Sequence, residues 1–138
     1  MTYKLREALC IAGGAVLLGC GGASEASRVE IVGPADGATV TGPGLRVELQ
    51  AHGVEIVPAG VEQPNSGHHH LFMDVPVTAA GEPIPAGPGI VHLGGAQTEY
   101  TFEGLDAGEH ILIAQLGDRL HVPVESVGAD TVRFTIQP

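Results

Sequence analysis

The 138-residue chain has no tryptophan, its aromatic share is 4%, and no lysine occurs after residue 19. Each absence excludes something. Without a lysine amine in residues 20–138, Schiff-base chemistry has no nucleophile there. In the same span four arginines stand against fifteen carboxylates. No cationic cluster is left for nucleic acid or anionic head groups, so no nucleic-acid partner is expected and cations suit the chain better. There is no Gly-x-Ser-x-Gly, no phosphate-cradling glycine loop and no His-Glu-x-x-His. A hydrolytic metal site with Glu99 or Asp118 as base is chemically conceivable, but no motif selects it. The expectation is a protein that is not an enzyme.

Cysteine is nearly absent too: only Cys10 and Cys20. Lys4 and Arg6 form a short basic region, Ala8 to Leu18 is apolar, and Gly19 precedes Cys20. That pattern predicts an export signal over residues 1–19, too short to be a stable transmembrane helix. Leu17-Leu18-Gly19-Cys20 resembles the lipobox of bacterial lipoproteins, which implies lipidation of Cys20 and a membrane partner through that lipid. Cys10 would then leave with the signal, so no pair remains for a disulfide even in an oxidising compartment. No thiolate remains for a blue-copper centre either. The expected location is the cell envelope, as an outer-membrane or periplasm-facing lipoprotein. The small polar stretch 20–27 reads as a flexible tether.

From residue 28 onward the chain reads as short alternating strands with turn residues between them: 28–33, 45–52, 68–75, a piece near 90–93, 97–102, 109–116 and 131–136. Pro76 to Gly89 is rich in Pro, Gly and Ala and reads as an irregular crossover. About seven strands and no helix predict a single all-β domain over 28–138, an immunoglobulin-like antiparallel β-sandwich, with a jelly roll as the alternative topology. Leu105 to Leu112 resembles the corner before the sixth strand of such sandwiches, with His110 where a tyrosine usually stands. Phe102, Phe134, Tyr100 and the aliphatic residues are left to fill the core. A monomer is the default expectation.

Against this sparse background stands Gly67-His68-His69-His70-Leu71-Phe72-Met73-Asp74. Three of the chain's seven histidines are consecutive here. With strand period two, His68, His70, Phe72 and Asp74 share one face, and His69, Leu71, Met73 and Val75 share the other. If successive strands reverse direction, His52, the trio, His92 and His121 converge at one pole with Asp118, and His110 lies at the opposite pole. Imidazoles at i and i+2 of a strand point the same way, and neutral imidazole is a common ligand of Zn and Cu. The candidate metal site is therefore His68, His70, His92 and His121, with Asp118 as a further ligand or as a group orienting an imidazole. Cu(II) or Zn(II) is the expected ion, for binding, storage or delivery. Met73 is read as core.

Other readings accompany this one. His52 and His110 suit ordinary hydrogen-bonded roles, and His69 suits a core position bonded to a backbone carbonyl. The cluster as a whole suits loop cross-links in a structural or protein-interaction module with an envelope partner, or a contact surface that responds to pH.

The combination Gly67 to Leu71, His92-Leu93-Gly94-Gly95-Ala96-Gln97-Thr98-Glu99, Gly108-Glu109-His110, Gly117-Asp118 and His121-Val122-Pro123 resembles a bacterial exported family known as domain of unknown function 4399. The resemblance runs from about Leu45 to Ile136. It implies a small exported β domain and no established reaction. The family pattern often carries a further histidine after His-Val-Pro, where this chain has Val124.

Overall fold

A computed structural model describes residues 26–138; the expected signal, Cys20 and most of the expected tether lie outside them. Alternation of apolar and polar residues becomes strand wherever a face can be buried. Nine strands result: β1 (Arg28–Gly33), β2 (Ala38–Thr41), β3 (Leu45–His52), β4 (Glu55–Ile56), β5 (Ser66–Met73), β6 (Ile90–His92), β7 (Glu99–Phe102), β8 (Gly108–Gly117) and β9 (Asp130–Gln137). There is no helix among the described residues.

The strands form two sheets, one in the order β1-β3-β7 and one in the order β2-β9-β8-β5-β4, with β6 also paired to β5. Their inward side chains make one core. Val29 and Ile31, Leu45, Val47 and Leu49 face Leu71 and Met73, Leu112, Ala114 and Leu116, and Val132, Phe134 and Ile136. Burial of each such aliphatic side chain contributes about 1.5–3 kcal/mol. Phe134 is the aromatic of the centre, while Tyr100 and Phe102 pack edge-on to each other, 4.8 Å apart, at the core's margin. The fold is the expected all-β sandwich.

Local detail goes beyond the strands read from the sequence. The segment after His52 makes a separate short strand, β4, parallel to the start of β5. The piece near 90–93 joins β5 in the larger sheet and leaves β7 to pair with β3. β5 stops at Met73, because Asp74 takes a positive φ of 58°, so Asp74 and Val75 do not extend the strand. The Asp74 carboxylate instead turns to β8, where it accepts the Ile111 N–H (2.8 Å) and meets His110 Nδ1 (2.6 Å).

His110 fills the corner position as expected. Its Nε2 donates to the Asp106 carbonyl at 2.9 Å, the bond back to the upstream backbone that a corner tyrosine makes. Its ring stacks on Phe134. With an oxygen acceptor at each nitrogen, the imidazolium is favoured. The Asp106 carbonyl first, and then Asp74, raise the His110 pKa above its ordinary value.

β5 is buried at every position. Its inner face looks into the core, and its outer face lies under the 74–89 crossover, whose Ile84 is also buried. Leu112, fully buried opposite Met73 and Val132, sits at the middle of this sheet. Leu112→Ala is expected to cost about 2–5 kcal/mol in urea-induced unfolding. A loss below about 1 kcal/mol would contradict this placement of the core.

Candidate metal centre

Pairing of β5 with β8 and β6 builds the site. His68 stands opposite Gly117 and His70 opposite Gln115 on β8. Residues two apart on a strand share a face, so both imidazoles rise from the outer face of the larger sheet. On the other side of β5, His92 is the direct partner of His70, and their rings stack at 5.0 Å with an interplanar angle of 24°.

The fourth imidazole comes from the loop after β8. Asp118 Oδ1 accepts the N–H groups of Leu120 (2.8 Å) and Val122 (2.9 Å), and the Asp118 N–H donates to the Val122 carbonyl. This tight turn holds His121 at a φ of 64°, a conformation that costs a non-glycine residue free energy and persists only when its surroundings enforce it. The Ile84 N–H, donating to the His121 carbonyl at 2.8 Å, pins the crossover to the same loop.

Two glycines make room for the rings. A Cβ added at Gly117 would lie 2.8 Å from His70 Cε1, and one at Gly94 would lie 2.5 Å from His92 Cε1. The sequence marks both glycines as turn or strand-end residues. Their close approach to imidazoles becomes visible only once the strands are paired.

The four imidazoles of His68, His70, His92 and His121 each offer a nitrogen, and these atoms all lie within 4.8 Å of one another. His92 Nε2 and His121 Nε2 are 3.2 Å apart. Ring centroids are separated by 4.7 Å at the closest pair, His92–His121, and 5.6 Å at the widest, His70–His121. Four nitrogens held tetrahedrally about 2.0–2.1 Å from one ion stand roughly 3.3 Å apart, with ring centroids roughly 5 Å apart. The rings already have that spacing, and the wider nitrogen pairs need closure on the order of 1 Å, within reach of side-chain rotation.

The other expected members fall elsewhere. Asp118 is not in this group of four, and its Oδ1 is committed to the turn that carries His121. His52 donates from Nε2 to Glu30 on β1 at 2.9 Å, so four imidazoles gather rather than six. His69 faces the core as expected, but neither of its ring nitrogens has a partner, in place of the expected bond to a carbonyl. A cavity of about 710 Å³ lies around Asp74, His110, Ile111 and Arg133, with none of the four clustered histidines in its lining.

Burial sets the charge state. His68, His69 and His70 are 1%, 0% and 2% exposed. Loss of hydration lowers the pKa of His68 to about 4, helped by His92 and His121 and opposed by Asp118. It lowers His70 to about 3, with His68, His92 and His121 adding to the effect. It lowers His69 to about 4, with His68 adding, and it lowers His92 as well, with His121 adding. At neutral pH the buried imidazoles are therefore neutral, the form that ligates metal. His68 Nε2 and His70 Nδ1 are buried without a hydrogen-bond partner, a state that costs about 1–3 kcal/mol per group and is rare in native structures.

A donor set of four imidazole nitrogens, with no thiolate and no carboxylate, suits Zn(II), Cu(II) or Ni(II) and gives Ca(II) or Mg(II) none of the oxygens they require. A family model described as domain of unknown function (DUF4399) matches residues 47–137. The chain belongs to the DUF4399 family. The match spans all four clustered histidines of this DUF4399 domain. No curated protein matches the chain. Among solved structures, the crystal structure of an engineered protein is similar at 15% identity and a TM-score of 0.49, over 84% of this chain and 21% of that one. The chain thus spans about a fifth of that protein's length.

The depressed pKa values fix a sign for the pH dependence. The unfolded chain takes up protons on His68, His69 and His70 below about pH 6.5, while the folded chain does so only near pH 4 and 3. Their contribution is present above pH 6.5 and is lost as pH falls through that window, by at most about 1.4 kcal/mol per pH unit for each imidazole. Urea unfolding at pH 5 is expected to show lower stability than at pH 7, with the difference reduced in His69→Leu. A stability that rises between pH 7 and pH 5 would contradict the neutral state.

Proposed function

We propose that this DUF4399 domain binds a divalent transition metal, copper or zinc, through His68, His70, His92 and His121, and that its role is binding, storage or delivery of that ion at the cell envelope. The carrying observation is the gathering of four imidazoles, one nitrogen of each within 4.8 Å of the others, in which His68 Nε2 and His70 Nδ1 are buried without a hydrogen-bond partner. Imidazoles acting only as loop cross-links would spend those nitrogens on loop oxygens, and these two are not so spent.

A binding role fits better than a catalytic one. Asp118 Oδ1 already accepts two backbone N–H groups. Glu99 lies on β7 in the other sheet and pairs with Arg46 at 2.9 Å. These ties favour holding the two carboxylates in place over using them as bases. In this reading Asp118 positions the His121 loop and lends a negative charge that partly offsets that of the ion.

Calorimetric titration of the full-length protein with Cu(II) and Zn(II) tests the proposal. One equivalent is expected to bind with a Kd of about 1 μM or tighter, corresponding to about −8 kcal/mol. His68→Ala/His70→Ala is expected to reduce the heat to background. Absence of binding in the native chain, or unchanged binding in the double variant, would refute the proposal.

The envelope location rests on Leu17-Leu18-Gly19-Cys20 behind its apolar segment. Several acyl chains on Cys20 would hold the domain stably at a membrane. Cell fractionation is expected to find the native chain with membranes and Cys20→Ser in the soluble fraction. A Cys20→Ser protein retained on membranes would argue against a lipid anchor.

A further inference from the structure

The four imidazoles do not form an evenly closed shell. His70 and His121 are the widest pair, 5.6 Å between ring centroids, against 4.7–5.0 Å for the other five. Those two residues and His92 together border a cleft of about 300 Å³ whose remaining walls include Ile84, Ala86 and Ile90. The cleft opens at the surface end of the cluster, where His92 is exposed and His121 half-buried, whereas His68 and His70 form the sunken floor. The 74–89 crossover that supplies Ile84 and Ala86 is tied to the His121 loop by the Ile84–His121 backbone bond. The wall and the ligand loop are thereby built as one piece.

Charge gives the opening a purpose. Four imidazole ligands bring no negative charge to a divalent ion, and Asp118 offsets it only in part, so a half-buried site is costly unless an anion comes with the ion. The neighbouring carboxylate, Asp118, is outside the donor group and has one oxygen committed to its turn. A four-nitrogen ion can expand to five ligands, and the wide edge is where a fifth has room.

Resting on the metal reading above, we infer that the gap between His70 and His121 is a fifth coordination position for a small exogenous monoanion. Such an ion would be carboxylate-like, with its charged end on the metal and a short apolar tail against Ile84, Ala86 and Ile90. The volume lies at the small end of ligand pockets, which leaves room for a short tail. The metal then serves as an anchor for a small organic anion, and the cleft sets which one.

The full-length protein loaded with one equivalent of Cu(II) provides the readout through its visible ligand-field absorption and its electron paramagnetic resonance. Sodium butyrate is expected to shift both spectra saturably with millimolar affinity, about tenfold tighter than sodium acetate, because it buries two more CH₂ groups. Ala86→Trp, which fills the cleft from an exposed position and removes no proposed ligand, is expected to weaken butyrate about tenfold with Cu(II) stoichiometry unchanged. Bound copper with spectra indifferent to either anion overturns the inference and leaves the metal site standing. Equal affinity for acetate and butyrate, or for butyrate in the native chain and Ala86→Trp, overturns the cleft's part in it. Failure to take up copper at all overturns the metal reading and this inference with it.

Discussion

Everything in this molecule turns on the register of β5 between β8 and β6. Side chains alternate along a strand, so a slip of one residue would send His69 outward and bury His68 and His70 in the core. The pairs His68–Gly117 and His70–Gln115 on one side, and His70–His92 on the other, fix the alternation that holds two imidazoles on the outer face. The apolar residues Leu71 and Met73 enforce the same register from the inner face. Core and site thus depend on the same hydrogen-bond ladder, and the hydrophobic effect that builds the sandwich also aims the ligands.

That arrangement carries an energetic tension. Three consecutive imidazoles are buried on β5, and four of their ring nitrogens lack a partner. A fold selected for stability alone would put apolar residues there, as it does at Leu71 and Phe72. The cost has to be offset by the core, by the Asp118 turn and by the backbone ties that close the loops over β5. An ion among the four imidazoles would take one ring nitrogen of each as a ligand. His69 is different: it points into the core, away from the cluster, and the structure offers no physical account of its two unpaired nitrogens.

Much of this was legible in the sequence, for identifiable reasons. Period-two alternation from His68 to Met73 separates His69 from its neighbours without any coordinates. Strand reversal alone is enough to bring His92 and His121 toward the start of β5. The corner role of His110 follows from its place after Asp106-Ala107-Gly108. What the sequence conceals are contacts between segments distant along the chain. Nothing in Ile90-Val91-His92 says which sheet edge it joins, so the direct pairing of His92 with His70 could not be read. The commitment of Asp118 to backbone N–H groups depends on a turn geometry that its residue type does not specify. His52 looks like a cluster member until Glu30 on the adjacent β1 appears beside it. Gly94 and Gly117 read as punctuation until the rings are seen against their Cα atoms.

The central claim is that these four side chains share one ion, and X-ray absorption at the metal edge of the zinc- or copper-loaded protein tests it most directly. The account predicts a first shell of nitrogen at about 2.0–2.1 Å, with the outer-shell scattering of four imidazoles, reduced to three in His68→Ala. A first shell dominated by oxygen, or an imidazole count unaffected by that substitution, would contradict it.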